Sequence, residues 1–168
     1  MNTGDVIIVP MAVADWEAVK QIYLEGIATK NATFEINAPE WEAWDKAHRK
    51  DCRMVAKING VVVGWAALSQ VSARKVYEGV TESSIYISTN YHNKGIGDKL
   101  MTELVKESEK NNIWTMQAGI FPENIASIRL HEKHGFRILG VKEKVGKMDN
   151  RWRDVVLMER RSRVVGVN

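Results

Sequence analysis

The chain has 168 residues, 45% of them hydrophobic, and 24 Lys and Arg against 21 Asp and Glu, for a formal charge of +3. That is enough for one domain with a full core, spanning 1–168, and too little for two of ordinary size. Basic and acidic residues are interleaved except at Arg160-Arg161-Ser162-Arg163, read as a solvated tail, so no broad basic face for nucleic acid is expected and no apolar run reaches membrane-spanning length.

The single cysteine, Cys52, excludes an internal disulfide and suits a reducing compartment. Met1-Asn2-Thr3-Gly4-Asp5 has no basic segment leading into an apolar run, so a cytoplasmic protein is expected. With four histidines and one cysteine, and His131 and His134 on one helix face without a third ligand, no metal site is expected.

In chain order, Val6 to Val9 is a short apolar run stopped by Pro10, which predicts a strand. Asp15 is placed to cap a helix with Val19, Ile22, Tyr23 and Ile27 on its apolar face. Asn31-Ala32-Thr33-Phe34-Glu35 has neither period and reads as a loop. Pro39 suits the first turn of a second helix carrying Trp41, Trp44 and Ala47. These tryptophans, with Trp65 and Trp114, read as packing residues.

Met54 to Ile58, the Asn59-Gly60 turn and Val61 to Leu68 predict a hairpin, because Asn-Gly accepts the positive φ angles of a tight two-residue turn. Thr81 to Ser88 is a further strand, and Leu100, Met101, Leu104 and Val105 mark a helix that ends near Asn111-Asn112. Thr115 to Phe121 reads as a strand, and Asn124 to His134 as a short helix closed by Gly135. Arg137 to Val145 and Val155 to Glu159 supply a last antiparallel pair. The predicted order is β-α-α-β-β-β-α-β-α-β-β.

Between the fourth strand and the third helix lies Tyr91-His92-Asn93-Lys94-Gly95-Ile96-Gly97-Asp98-Lys99-Leu100. Two residues without a Cβ let the backbone curl close to a ligand, the helix start adds unpaired N–H donors, and Lys94 adds a cation, which suits a phosphate. A P-loop would need Gly-Lys-Ser/Thr and a dinucleotide fingerprint a third glycine; neither follows Gly97. By itself the turn also fits a plain strand-to-helix connection.

This element order with a glycine turn after the fourth strand resembles the GNAT superfamily of N-acetyltransferases over almost the whole chain. The superfamily's loop pattern, Gln/Arg-x-x-Gly-x-Gly/Ala, is matched by His92-Asn93-Lys94-Gly95-Ile96-Gly97, with His92 in place of the usual first residue. Asn124-Ile125-Ala126-Ser127-Ile128-Arg129-Leu130-His131-Glu132-Lys133-His134-Gly135-Phe136 matches its second signature.

The resemblance implies a mixed α/β (α+β) fold with a mostly antiparallel central sheet flanked by helices. It implies acetyl-CoA as co-substrate, with the pyrophosphate on the amides from His92 to Asp98 and the pantetheine arm along Ile85, Tyr86 and Ile87. Asn124 and Ser127 are placed beside that arm. Ala32-Thr33-Phe34-Glu35, Arg74, Tyr77, Glu82 to Ile87, Leu130-His131, Gly135-Phe136 and Lys147 to Asp154 are similar to the phosphinothricin and methionine sulfoximine acetyltransferase group. Members are commonly homodimers.

An amine attacks a thioester only in its neutral form, so a base is needed directly or through water. The resemblance places Glu82 there; an ordinary strand glutamate is the plainer account. His131 is the candidate donor to the departing thiolate, against a packed helix histidine, while His134 beside the helix-ending glycine reads as structural. Arg74 and Tyr77 would grip the acceptor's acid group, and Phe34 and Glu35 would wall the acceptor site; a solvated arginine and a core phenylalanine are the competing accounts. The expected reaction is acetyl transfer to the α-amino group of a small amino-acid analogue. Another amine (polyamine, aminoglycoside or protein N-terminus) and a non-catalytic CoA-sensing module are the alternatives, and retention of Glu82 with His131 argues against the latter.

Overall fold

The computed structural model describes residues 4–168, so the reading of Met1-Asn2-Thr3 as free of a leader lies outside the described residues. Among the described residues there are seven strands: β1 (Val6–Pro10), β2 (Met54–Ile58), β3 (Val61–Gln70), β4 (Val80–Ile87), β5 (Thr115–Ile120), β6 (Arg137–Met148) and β7 (Arg151–Arg161). They join in one sheet of order β1-β2-β3-β4-β5-β7-β6. Four helices, α1 (Trp16–Ala28), α2 (Trp41–Ala47), α3 (Ile96–Lys110) and α4 (Ile125–Lys133), complete the expected order.

The alternation of β3 sorts the core onto two faces. Trp65 and Ala67 join Trp16, Val19, Ile22 and Trp44 beneath α1 and α2, whereas Ala66 and Leu68 join Leu100, Met101 and Leu104 of α3. Those three α3 side chains are fully buried, each contributing about 2 kcal/mol. Trp44 lies 5.4 Å from Trp16 and 5.6 Å from Trp65, with the Arg53 guanidinium 5.1 Å over its ring. Trp41, Trp44 and Trp65 are packing residues, as expected.

Asn59 and Gly60, at φ 49° and 81°, turn the β2–β3 hairpin as their sequence demands. The last hairpin is longer than expected, because Asp149 and Asn150, both left-handed at φ 51° and 62°, make its two-residue turn.

Three local readings are corrected. Asp15 does not cap α1 with its side chain. A 3₁₀ turn at Val13–Asp15 comes first, and the carboxylate accepts Ala12 N–H at 2.9 Å and pairs with Lys57 at 2.9 Å. Pro39 stands outside α2, whose cap position is Glu40. Arg160 to Arg163 is no solvated tail, because β7 stays paired with β5 as far as Arg161. Arg160 donates to His134 O at 3.1 Å and pairs with Glu109 at 3.3 Å, and the buried Ser162 hydroxyl donates to Glu109 at 2.9 Å.

What positions the site is a split in the sheet. β4 and β5 form the parallel pair, and their ladder runs through Val80↔Thr115, Thr81↔Met116 and Glu82↔Gln117 and stops. β4 stays with β3 as far as Ile87, and β5 stays with β7 as far as Ile120, so a wedge opens beyond Glu82. The Ser83 hydroxyl closes the apex, donating to Gln117 O at 3.3 Å.

Candidate active site

Beyond Glu82 every second N–H and C=O of β4 faces the wedge instead of a strand, which leaves main-chain groups free for an extended ligand. At its far end the Ile87 carbonyl accepts from His92 Nε2 at 2.9 Å, so the His92 ring braces the turn. A 3₁₀ turn at Thr89–Tyr91 follows, held by Glu25 of α1, which accepts Thr89 N–H at 2.7 Å.

The two glycines then do different things. Gly95 is the left-handed cap position of α3, at φ 75°, and a Cβ there would meet nothing within 4 Å. With Asn93 also left-handed at φ 60°, the turn curls so that the uncapped first N–H groups of α3 face outward together. Gly97 serves packing, since its Cβ would stand 3.2 Å from Leu130 Cδ2 where α3 meets α4. The Asp98 carboxylate is turned to α4, pairing with Lys133 at 2.9 Å and His134 at 2.8 Å; these contacts hold it below the usual carboxylate range. His134 is thus structural, as expected, and Lys94 lies 5.3 Å over the Tyr91 ring.

A cavity of about 510 Å³ occupies the wedge and takes its walls from both faces of the sheet. From the α1 side come Tyr23, Thr33, Phe34 and Glu35; from β4, Glu82 to Tyr86; from the α4 side, Asn124, Ser127 and His131. The Asn124 side chain accepts Ser127 N–H at 3.3 Å, capping α4, and donates to Asn31 O at 3.3 Å, which fastens the 31–35 loop. Phe34 is 36% exposed and walls the cavity instead of anchoring the core.

Glu82 is exposed at the apex, on the same strand face as Ser84 and Tyr86. Tyr86 stacks on Trp65 at 5.0 Å and meets Tyr23 edge-on at 5.0 Å. Burial pushes both phenols up, so they stay protonated. The cavity therefore offers one carboxylate at the apex and neutral hydroxyl donors beside it.

His131 is 2% exposed and edge-on to Phe136. Its Nδ1–H donates to Ser127 O at 2.7 Å, which leaves a lone pair on Nε2, and burial lowers its pKa. At neutral pH the ring is an acceptor. It becomes a proton donor only after taking up a proton during turnover.

Arg74 and Tyr77 are not brought to the cavity. Both are exposed, around a 3₁₀ turn at Lys75–Tyr77, with the guanidinium 5.3 Å over the phenol ring. The cation in the lining is Lys142 of β6, which the sequence did not mark as a site residue, nor did it mark Tyr23 or Val145. For Lys142 and Val145 the missing signal is a bulge in β6, which no local pattern announces. Among the described residues no group of three His, Cys, Asp or Glu side chains could hold a metal.

Residues 14–136 match the acetyltransferase (GNAT) family. The chain is 32% identical to the phosphinothricin N-acetyltransferase of Streptomyces viridochromogenes, over 90% of its own length and 85% of the relative's. It is 30% identical to the L-methionine sulfoximine/L-methionine sulfone acetyltransferase of Salmonella typhimurium, over 87% and 88%. A GNAT superfamily phosphinothricin acetyltransferase from Sinorhizobium meliloti, solved in complex with AcCoA, matches with a TM-score of 0.86 at 28% identity, covering 97% of this chain and 91% of that one.

Proposed function

The chain belongs to the acetyltransferase (GNAT) family, and from that premise we propose that it transfers the acetyl group of acetyl-CoA to the α-amino group of a small amino-acid analogue of the phosphinothricin or methionine sulfone kind. The observation that carries this reading is the cavity through the sheet, with Glu82 at its apex and His131 on its α4 wall.

In this reading the pyrophosphate sits on the N–H groups from His92 to Asp98, and the pantetheine arm lies along the open edge of 83–87. The acceptor enters beside Thr33, Phe34 and Glu35. Glu82, which has no ion-pair partner among the described residues, takes the ammonium proton directly or through a water, and the amine attacks the thioester carbonyl. The tetrahedral intermediate expels the thiolate. The His131 Nε2 lone pair can pick up a proton released in the attack and return it to the departing sulfur.

Arg74 has no part in this arrangement within one chain. We further infer a cytoplasmic homodimer: Cys52 is a free thiol, and Ile138, Leu139, Val141 and Trp152 are exposed apolar side chains on the last hairpin that a second copy can cover.

The test is acetyl-CoA-dependent thiol release over amino acids, methionine sulfone, methionine sulfoximine, phosphinothricin and polyamines, with wild type and Glu82→Gln. The amino-acid analogues should be used, and Glu82→Gln should lower kcat/KM by about 10²-fold at neutral pH, with less loss as rising pH deprotonates the free amine. A preference for polyamines would overturn the acceptor class. A Glu82→Gln profile equal to wild type in height and shape would remove Glu82 as the base.

A further inference from the structure

The β6–β7 hairpin carries an irregularity aimed at the acceptor side of the cavity. Lys142 pairs with Val155 and Gly146 with Arg153, so β6 runs from 142 to 146 while β7 runs only from 155 to 153. Lys144, left-handed at φ 45°, donates its N–H to Asp154 Oδ1 at 2.7 Å and stabilises this bulge. Val145 is thereby delivered to the cavity wall.

Gly146 comes next, and its missing side chain answers to a neighbour, since its φ lies outside the left-handed region. A Cβ there would stand 2.5 Å from Phe34 Cζ and 2.7 Å from Cε1. The ring cannot retreat the other way, because Phe121 meets it edge-on at 4.9 Å and is itself covered by the Arg153 guanidinium at 3.9 Å. Arg153, opposite Gly146, also fixes the loop that carries Phe34, donating to Lys30 O at 2.7 Å and Asn31 Oδ1 at 3.1 Å.

We propose that Gly146 is a specificity-determining position of the acceptor pocket, acting through Phe34. The absent side chain lets the ring lie back against β6, and this sets the length of acceptor side chain that the cavity takes. The proposal rests on the reading of this cavity as the acceptor site. The atoms that a Cβ at 146 would meet are the tip of the Phe34 side chain and not backbone, so a methyl there turns the ring into the cavity without unfolding the chain.

The experiment compares Gly146→Ala with wild type on long acceptors (methionine sulfone, phosphinothricin) and short ones (glycine, alanine), and measures acetyl-CoA affinity by calorimetry. Gly146→Ala should raise KM for the long acceptors at least about tenfold, the scale of a pocket narrowed by one methyl, and leave short acceptors and acetyl-CoA affinity nearly unchanged. Phe34→Leu in the Gly146→Ala background should restore the long acceptors. Equal losses for all acceptors together with weaker acetyl-CoA binding would mean a purely structural glycine and overturn the proposal. So would unchanged KM values, or no restoration by Phe34→Leu. A wild-type enzyme that binds acetyl-CoA but acetylates none of these acceptors would overturn the functional reading, and the proposal would fall with it; wild-type activity with an indifferent Gly146→Ala would sink the proposal alone.

Discussion

His131 and His48 are both held neutral by burial. His131 is enclosed against Phe136 and bound to Ser127 O; His48 stacks 4.2 Å from Trp44 and donates Nδ1–H to Trp44 O at 2.8 Å. In each case desolvation of the charged ring pushes the pKa below the usual histidine value. The unfolded chain therefore takes up protons near pH ~6.5 while the folded chain still refuses them. Stability is fully present above that pH and is lost as pH falls below it, until the folded-state values are passed, with a slope of up to about 1.4 kcal/mol per pH unit for each ring. Urea midpoints should be flat just above neutrality and decline through the weakly acid range, before the ion-paired Asp45, Asp51 and Asp98 begin to titrate; they decline again in the alkaline range, where the buried Cys52 and the Tyr23 and Tyr86 phenols hold protons that the unfolded chain gives up. His131→Phe keeps a ring against Phe136 and removes one titrating group, so it should reduce that slope. A slope identical to wild type would show that His131 is not held neutral in the fold.

Elements differ in how far local chemistry specifies them, and the turn into α3 tests this most directly. Gly95 has left-handed φ and open space where its Cβ would be, so Gly95→Ala should cost about 1–2 kcal/mol of stability by straining the backbone of the turn that presents the α3 N–H groups. Gly97 lies inside α3, where alanine is favoured over glycine by about 1 kcal/mol, against a small displacement of Leu130. Gly97→Ala should thus be near neutral in urea melts and bind acetyl-CoA well, while Gly95→Ala binds it weakly. Equal loss of affinity in the two variants would contradict the division of labour. The motif alone showed two glycines and could not separate these roles, because Leu130 reaches Gly97 only when α4 docks. The same limit explains the last hairpin. Asn59-Gly60 announces its turn, whereas the bulge at Lys144 depends on Asp154 across the strand, so Lys142 and Val145 were invisible as cavity residues. Glu82, Asn124 and His131 were legible as cavity residues because motif and strand or helix position coincide, and Phe34 and Glu35, on a loop, through the motif alone. Arg74 and Tyr77 matched a motif but lie on an exposed turn that no cavity wall includes.

At the scale of the molecule, the sheet is two antiparallel blocks, β1 to β4 and β5 to β6, joined by a ladder of three residue pairs. Ser83 to Gln117, Thr81 to Thr115, and the Asp98 contacts with Lys133 and His134 add cross-links, but beyond Glu82 the edges of β4 and β5 are apart. A ligand lying in that wedge touches both blocks and is absent from the unfolded state, so acetyl-CoA should stabilise the whole fold. At a hundredfold excess over Kd the gain is about 2.7 kcal/mol, which for a chain of this size raises the unfolding midpoint by roughly 5–11 °C. The local signature matters more than the size of the shift. Amide hydrogen exchange should slow at those N–H groups of 83–87 that β3 does not use and at the first turn of α3, while the outer edge of β6 exchanges as before. The α1–α2 loop at 31–35 should respond weakly to acetyl-CoA and further when methionine sulfone is added, because it walls the acceptor side. Protection confined to α3, with 83–87 unchanged, would mean that the cofactor is held by its phosphates alone and that the open strand edge does not carry its arm.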